Sequence, residues 1–198
     1  DGGATRKSLN GNGLPAGTEF FSPIIQDPVL STTCYAGGRV NLWKSTDYLS
    51  APSHTWTSIG TPSGSGSVTR FVVAPSDPLI IYTLKENAVS KTINGGISWS
   101  NVTGTLPLGS AYIRNIAISN TDPNKVWVVF SGYSDGNKVF KTVDGGANWT
   151  NISGTLPNIP FNTVVYRNGS NDEVYIGADI GVYVTDNTMS AGTWVSFN

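Results

Sequence analysis

The carboxylates are the side chains of this sequence best able to do chemistry, and the chain has few of them. Its 198 residues include 13 Asp and Glu against 12 Lys and Arg, with one histidine and one cysteine. Two carboxyl groups facing each other across a cleft can hydrolyse a glycosidic bond. A single His54 and a single Cys34 give little support to a catalytic triad or to a metal site of Cys and His ligands. We therefore expect no metal and no cofactor.

Most of the acids recur at fixed positions of an internal repeat. Residues 91–107 and 141–157 have nearly the same sequence, and weaker copies begin at Lys44 and Val184. One tryptophan marks each copy, at intervals of 43, 50 and 45 residues: Trp56, Trp99, Trp149 and Trp194. Repetition at this period indicates a fold built from one supersecondary unit, with each unit stacked on the next.

Each copy is predicted to form four short strands separated by turn residues such as Asp122-Pro123-Asn124. A charged fraction of only 13%, with 23 Gly and 11 Pro, is also typical of an all-β chain rich in turns. A four-stranded antiparallel meander is one blade of a β-propeller, so we predict an all-β propeller segment of about four blades. The predicted bounds are 1–16 for the end of a preceding blade, 17–68 for blade 1, 69–110 for blade 2, 111–160 for blade 3 and 161–198 for blade 4.

The segment Thr142-Val143-Asp144-Gly145-Gly146-Ala147-Asn148-Trp149 resembles the Asp-box of the sialidase-type (BNR) repeat, Ser/Thr-x-Asp-x-Gly-x-x-Trp. This box occurs in sialidases, family 74 xyloglucanases and sortilin-type receptors, and the flanking sequence is most similar to exported surface proteins of the Bacteroidetes type. The resemblance covers nearly the whole chain. It implies a propeller that forms part of a larger secreted or cell-surface bacterial protein, and it leaves the activity open.

Physical chemistry favours a structural role for the box. Paired glycines allow a tight turn with positive φ, the short carboxylate accepts hydrogen bonds from turn amides, and the tryptophan fills space between blades. Asn94 replaces the Asp in the second copy, and an amide can keep these bonds without acid–base chemistry. The predicted structural positions are Asp47, Trp56, Asn94, Gly96, Trp99, Asp144, Gly146, Trp149, Asp186 and Trp194.

The predicted interaction surface follows from the direction of the turns. Successive turns of a meander alternate between the two ends of a blade, so the Asp-Pro turns and the boxes share one end. Setting aside the acids at that end leaves Glu19, Glu86, Asp135 and Asp179. We predict that the opposite end binds a ligand through Arg39, Glu86, Tyr112, Arg114, Tyr133, Asp135, Phe161 and Asp179.

Three functions stay open. The first is a non-catalytic binding or adhesion module that recognises a glycan or a protein through this surface. The second is a glycoside hydrolase segment, xyloglucanase-like or sialidase-like, with Asp179 and Asp135 as the catalytic pair. Residues 179–183 resemble a catalytic loop of the xyloglucanases, which is the reason for naming Asp179. The third is a structural repeat of an extracellular fibre or surface layer.

Charge and hydropathy limit the partners. A net charge of −1 argues against nucleic acid, which attracts a basic surface. No apolar run approaches the roughly 18 residues that a membrane-spanning helix needs. Exposed blade edges invite pairing, so we also expect either flanking blades of a parent chain or self-association.

Overall fold

The computed structural model describes residues 23–48, 54–86, 88–109 and 111–197. Within these ranges, sixteen strands form four antiparallel sheets of four strands each, and every strand pairs with its neighbours in sequence. The predicted all-β fold of four-stranded blades is confirmed. The expected end of a preceding blade, residues 1–16, lies outside the described residues.

The strands follow chain order through the blades, four to a blade. Blade 1 contains β1 to β4, blade 2 β5 to β8, blade 3 β9 to β12, and blade 4 β13 to β16. Their bounds are β1 Ile24–Gln26, β2 Cys34–Gly37, β3 Leu42–Ser45, β4 Thr57–Ser58, β5 Arg70–Val73, β6 Ile81–Lys85, β7 Ala88–Thr92, β8 Ser100–Asn101, β9 Tyr112–Ile118, β10 Val126–Ser131, β11 Val139–Thr142, β12 Thr150–Asn151, β13 Phe161–Tyr166, β14 Val174–Ala178, β15 Gly181–Thr185 and β16 Val195–Phe197.

The second strands of the middle blades are buried on both faces. β6 is buried along its whole length, and β10 along all but its last residue. The sequence of β10, Val-Trp-Val-Val-Phe-Ser, is apolar up to its last residue, as expected for a strand covered on two sides. The sequence of β6, Ile-Tyr-Thr-Leu-Lys, is mostly apolar and includes a buried Thr and Lys. The fourth strands β8 and β12 are two residues long and exposed. Such short outer strands leave little open sheet edge.

Backbone hydrogen bonds join the first and third turns of each blade. Gly95 N donates to Leu79 O at 2.9 Å, and Gly145 N donates to Asn124 O at 3.0 Å. Gly95 and Gly145 have φ of 68° and 75°, a conformation that glycine adopts at little cost. These turns therefore lie together at one end of the propeller, which we call the box end. The turn between the second and third strands lies at the opposite end, which we call the loop end.

Adjacent blades pack face to face, and each interface has its own apolar core. The interface of blades 1 and 2 contains Tyr35, Phe71 and Ile81. The larger cores between blades 2 and 3 and between blades 3 and 4 include Trp149 and Trp194 respectively. Burial of these large side chains between sheets stabilises the stacking, since the free-energy gain scales with the apolar area removed from water.

A tryptophan of each later blade also donates a hydrogen bond to the blade before it. Every acceptor is a main-chain carbonyl three residues beyond the corresponding tryptophan of its own blade. The three bonds are Trp99 Nε1 to Ile59 O at 2.9 Å, Trp149 Nε1 to Val102 O at 2.8 Å, and Trp194 Nε1 to Ile152 O at 2.7 Å. The indole therefore fixes the register of neighbouring blades as well as filling space.

Trp56 occupies the same position in blade 1 but lacks this bond. Its side chain is 3% exposed, and its Nε1 has no hydrogen-bond partner among the described residues. It packs edge-on against Tyr48 and His54, with ring centroids 6.1 and 6.0 Å away. His54 is itself buried with both ring nitrogens unbonded within the described part of the chain. It lies beside Trp56 and the partly buried Tyr48 in an aromatic cluster.

The face of blade 4 that points away from blade 3 is apolar and open. Cross-strand pairs place Val165, Tyr175, Val184 and Val195 in one row across the sheet, and Phe197 beside them is 56% exposed. The corresponding face of blade 3 is covered by blade 4, and there Trp127 is almost completely buried. Blade 4 thus presents a surface of the kind that the other blades bury.

Candidate functional site

The Asp144 carboxylate is fully engaged within its own turn. It accepts hydrogen bonds from Thr142 Oγ1 at 2.7 Å and from the Asn148 amide N–H and side-chain Nδ2 at 2.9 and 2.8 Å. These bonds, those of Asn148 first, lower the pKa of Asp144 to about 2. The hydrogen bonds that keep this carboxylate charged also stabilise the turn.

Asn94 in blade 2 makes two of these contacts without a charge and reverses the third. Its Oδ1 accepts from Thr92 Oγ1 at 2.9 Å and from the Ser98 amide at 3.0 Å, while its Nδ2 donates to Ser98 Oγ at 2.8 Å. In both blades the Thr oxygen also accepts from the second glycine of the box, Gly96 or Gly146, at 2.9 Å. An amide can therefore replace the carboxylate where the residue four positions later accepts a hydrogen bond, which indicates that the charge is dispensable for forming the turn.

The remaining two box acids are also held by local donors. Asp47 accepts from the Thr55 amide at 2.9 Å and from Ser45 Oγ at 2.8 Å. Asp186 accepts from the Thr188 amide at 2.8 Å and from its hydroxyl at 2.6 Å. Hydrogen bonding lowers the pKa of both acids. The carboxylates of the three box acids therefore accept hydrogen bonds within their own turns.

The loop end contains a pocket of about 970 Å³ between blades 1, 2 and 3. Four residues of the predicted interaction surface line it. Arg39 lies in the turn between β2 and β3, and Glu86 follows β6. Tyr112 and Arg114 are exposed residues of β9, which has a bulge at Arg114, and both line the pocket.

The pocket also contains two cations that sequence reasoning missed. Arg70 begins β5 and Lys85 ends β6, and both lie within strands rather than turns. The predicted surface was built from turn acids and from residues near turns and linkers, so Arg70 and Lys85 were not included. A usable signal existed, because a lysine or arginine at the loop-end terminus of a predicted strand must lie beside the turns of that end.

Lys85 is the most buried charge in the pocket. Its side chain is 4% exposed, and its Nζ lies 3.4 Å from the carbonyl oxygen of Gly64. Burial lowers the pKa of this ammonium group. Arg70 donates to the neighbouring carbonyl of Thr69 at 2.6 Å. Glu86 is the one carboxylate among the lining residues, and it accepts a long bond of 3.4 Å from Ser65.

The other predicted surface residues do not line this pocket. Tyr133 and Asp135 are exposed near the turn between β10 and β11, and Asp179 is exposed after β14. Asn162 Nδ2 donates to the Asp179 carboxylate at 2.7 Å. The loop end therefore divides into the pocket over blades 1 to 3 and a separate group of exposed side chains on blades 3 and 4.

Phe161 corrects the sequence prediction. It was expected at the loop-end surface because it follows a proline-rich linker, but its side chain is completely buried in the core between blades 3 and 4. Its ring packs edge-on against Tyr183 at 5.7 Å. Phe161 already belongs to β13, and a bulge between Phe161 and Thr163 interrupts the alternation, so that Phe161 is buried like Val164 while the two residues between them are exposed.

The described residues offer no group of three or more His, Cys, Asp or Glu side chains that could hold a metal ion. Across the same ranges, no helix is long and apolar enough to cross a membrane. With a single carboxylate at its wall, the pocket can hold a ligand by charge, hydrogen bonds and ring contact. It does not itself supply the pair of carboxyl groups that glycoside hydrolysis uses.

Comparison with known proteins shows similarity of fold alone. A GH74 enzyme of Niastella koreensis shares 20% identity with a TM-score of 0.60 over 86% of this chain and 30% of that one. The GH74 xyloglucanase of Xanthomonas campestris shares 12% with a TM-score of 0.62, over 87% of this chain and 30% of the enzyme.

An extracellular domain described as part of a hybrid two-component system of B. thetaiotaomicron shares 17% identity with a TM-score of 0.59, over 92% of this chain and 23% of that one. The chain therefore spans less than a third of the length of these three proteins. No protein-family model and no curated protein sequence matches it.

Proposed function

We propose that the chain is a non-catalytic binding or adhesion module that recognises its ligand through the loop end. The observation that carries the proposal is the pocket of about 970 Å³, which brings together Arg39, Glu86, Tyr112 and Arg114 from three blades. Cavities of this size with a few convergent polar groups are typical of ligand sites. The box end is a weaker candidate, since the box acids accept hydrogen bonds from their own turns and Asp172 pairs with lysines of blade 3.

The pocket lies on a stacked β framework that holds its walls in place. Tyr112 belongs to β9 and pairs with Ser131 of β10, and Arg114 lies at a bulge of β9 between the paired residues Ile113 and Asn115. Arg70 and Lys85 belong to the paired strands β5 and β6. Side chains that project from paired strands are positioned before a ligand arrives, and this reduces the ordering cost of binding.

The proposed ligand is a glycan or a protein met outside the cell. The exposed phenol ring of Tyr112 can stack on a sugar ring or on an apolar side chain, while the cations and Glu86 supply hydrogen bonds. An extracellular or cell-surface location is part of the proposal. It is supported by the sequence resemblance to exported proteins and by a propeller fold that is shared with an extracellular domain.

A glycan array followed by isothermal titration tests this proposal. Tyr112→Ala and Arg114→Ala should each weaken binding at least tenfold, since hot-spot contacts of this kind typically cost more than about 1.4 kcal/mol. Ile97→Ala is the matched control, because Ile97 is highly exposed in a turn at the box end. Unchanged affinity in both pocket variants for every ligand found would contradict the proposal.

Glycoside hydrolysis is the second candidate. Asp135 and Asp179 both lie exposed in loop-end turns of adjacent blades, so the two candidate carboxylates are at the same end of the propeller. Release of reducing sugar from xyloglucan, other β-glucans or sialosides, abolished by Asp179→Ala, would establish it in place of the binding proposal. Asp186→Ala, at the box end, should leave such activity unchanged.

We also propose that the open face of blade 4 packs against a further blade, of the same chain or of another molecule. Phe197 lies three residues after Trp194, as Ile152 lies three residues after Trp149. Its main-chain carbonyl is therefore at the position that accepts the indole N–H at the other interfaces. A fibre or surface layer built by such stacking is the remaining structural alternative, and electron microscopy would reveal it.

A further inference from the structure

We infer that the loop-end pocket binds the carboxylate of an acidic oligosaccharide, that is, of a uronate-containing glycan, an inference that rests on the proposed binding function. The residues that carry it are the four cations of the pocket, Arg39, Arg70, Lys85 and Arg114, together with Tyr112. The inference identifies the charge and the chemical class of the ligand, which the binding proposal leaves open.

The charge of the pocket departs from that of the chain. Four cationic side chains and one carboxylate line the pocket, whereas the whole chain has a net charge of −1. The positive charge is therefore concentrated locally and does not reflect a basic protein. A concave wall of one sign focuses the electrostatic field and raises the local concentration of oppositely charged ligand.

The cations are not neutralised by the protein. Within the described residues the ion pairs are Lys125 with Asp172, Lys141 with Asp172, and Arg167 with Glu173, and none includes a pocket residue. Arg39 and Arg114 are exposed and have no hydrogen-bond partner among the described residues. A guanidinium group pairs with a carboxylate through two parallel hydrogen bonds, so each of these side chains can donate both bonds to one ligand carboxylate.

Lys85 provides an independent argument. A buried ammonium group is costly unless an opposite charge accompanies it. Lys85 is 4% exposed, and its nearest acceptor is the neutral carbonyl of Gly64 at the long distance of 3.4 Å. Burial alone lowers its pKa, and an anion in the pocket would reverse that effect. The pocket thus contains a charge whose stabilising partner is supplied by a ligand.

The aromatic residue favours a sugar over an acidic peptide. The cavity of about 970 Å³ has room for a few sugar residues. Tyr112 is 77% exposed and lines the cavity, so its ring can cover the apolar face of a pyranose. Arg114 follows two residues later on β9 and lines the same cavity, so that the pocket offers a ring contact and a charge contact together.

The test measures calorimetric binding of the whole chain to uronate oligosaccharides of galacturonic, mannuronic and glucuronic acid, and to their methyl esters. The esters retain the sugar and remove the charge. We expect binding of at least one acid, at least tenfold weaker binding of its ester, and weaker binding as the salt concentration rises. Arg39→Gln and Arg114→Gln should each reduce affinity for the acid at least tenfold, because a charge-assisted bond is lost.

Arg167→Gln is the matched control, since Arg167 is an exposed arginine that pairs with Glu173 in a turn at the box end. It removes the same charge from the chain and should leave the affinity unchanged. If Arg39→Gln and Arg114→Gln both fold, as verified by circular dichroism, and both bind the acid with unchanged affinity, the inference is overturned.

The other outcomes separate the inference from the function on which it rests. Equal affinity for acid and ester, lost in Tyr112→Ala, overturns the inference and keeps a glycan-binding module. Binding of a polyglutamate peptide but of no uronate overturns the assignment to a sugar. Failure to bind any glycan or any protein ligand overturns the proposed function itself.

Discussion

Replacing the interface tryptophan by phenylalanine tests how much the blade-to-blade hydrogen bond contributes. Trp149→Phe keeps an aromatic ring in the core between blades 2 and 3 and removes the N–H that donates to Val102 O at 2.8 Å. Trp56→Phe is the matched control at the same repeat position. It removes an N–H that has no hydrogen-bond partner among the described residues.

Both variants lose the same ring area, but only Trp149→Phe loses a hydrogen bond between blades. A partly buried carbonyl that loses its donor typically costs about 1 to 2 kcal/mol, whereas removal of an unbonded buried N–H carries no such cost. Trp149→Phe should therefore lower the free energy of unfolding by about 1 to 2 kcal/mol more than Trp56→Phe does. For a slope near 2 to 3 kcal/mol per molar urea, the midpoints should differ by about 0.5 M.

Urea titration followed by both far-ultraviolet circular dichroism and tryptophan fluorescence is the appropriate assay. Repeat folds can unfold blade by blade, so the two probes must give coincident transitions before the free energies are compared. An equal loss of stability in the two variants would refute the reasoning, since the bond would then contribute nothing beyond ring packing. A larger loss of stability in Trp56→Phe than in Trp149→Phe would also refute it.

Three further predictions follow from the turns and the open face. The turn bonds of Asp144 lower its pKa to about 2, so its contribution to stability is present above the unfolded value of roughly 3.9 and is lost as the pH falls towards 2. The double variant Asp144→Asn with Asn148→Ser reproduces the Asn94–Ser98 pair of blade 2, so it should keep the stability of the chain at pH 7. Its thermal unfolding midpoint should fall less than that of the unaltered chain over the same acidic range. Gly154→Ala should be far more destabilising in thermal unfolding than Gly136→Ala, because both glycines have positive φ but only the new methyl group at Gly154 meets the main chain of Gly192. Phe197→Asp should abolish any concentration-dependent association seen by analytical ultracentrifugation, and persistence of the association would place the contact elsewhere.

Much of the fold could be predicted from the repeat alone. The recurring tryptophans and the nearly identical segments 91–107 and 141–157 define a unit that is too small to bury its own apolar faces, and this requires stacking. Continuous apolar stretches such as β10 identify the strands that are covered on both sides. Local sequence was sufficient here because the turn chemistry and the strand pattern act over a few residues.

The candidate site could be predicted only in part. Alternation of turns led to Arg39 and Glu86, and the pocket does contain them. Arg70 and Lys85 were missed although each lies at the loop-end terminus of its strand. Phe161 was misplaced because a bulge in β13, which the sequence pattern does not reveal, turns its side chain inward.

The sequence by itself determined the repeating unit, its four strands and the structural use of the box acids, because glycine turns, short-range hydrogen bonds and apolar periodicity are properties of neighbouring residues. Only the tertiary structure decided which side chains share a pocket. Arg39, Lys85 and Arg114 come from three different blades, and their separation depends on how those blades are stacked. The stacking depends on contacts between residues some 40 to 50 positions apart, such as Trp149 and Val102. The same stacking brings the cationic side chains of the pocket together.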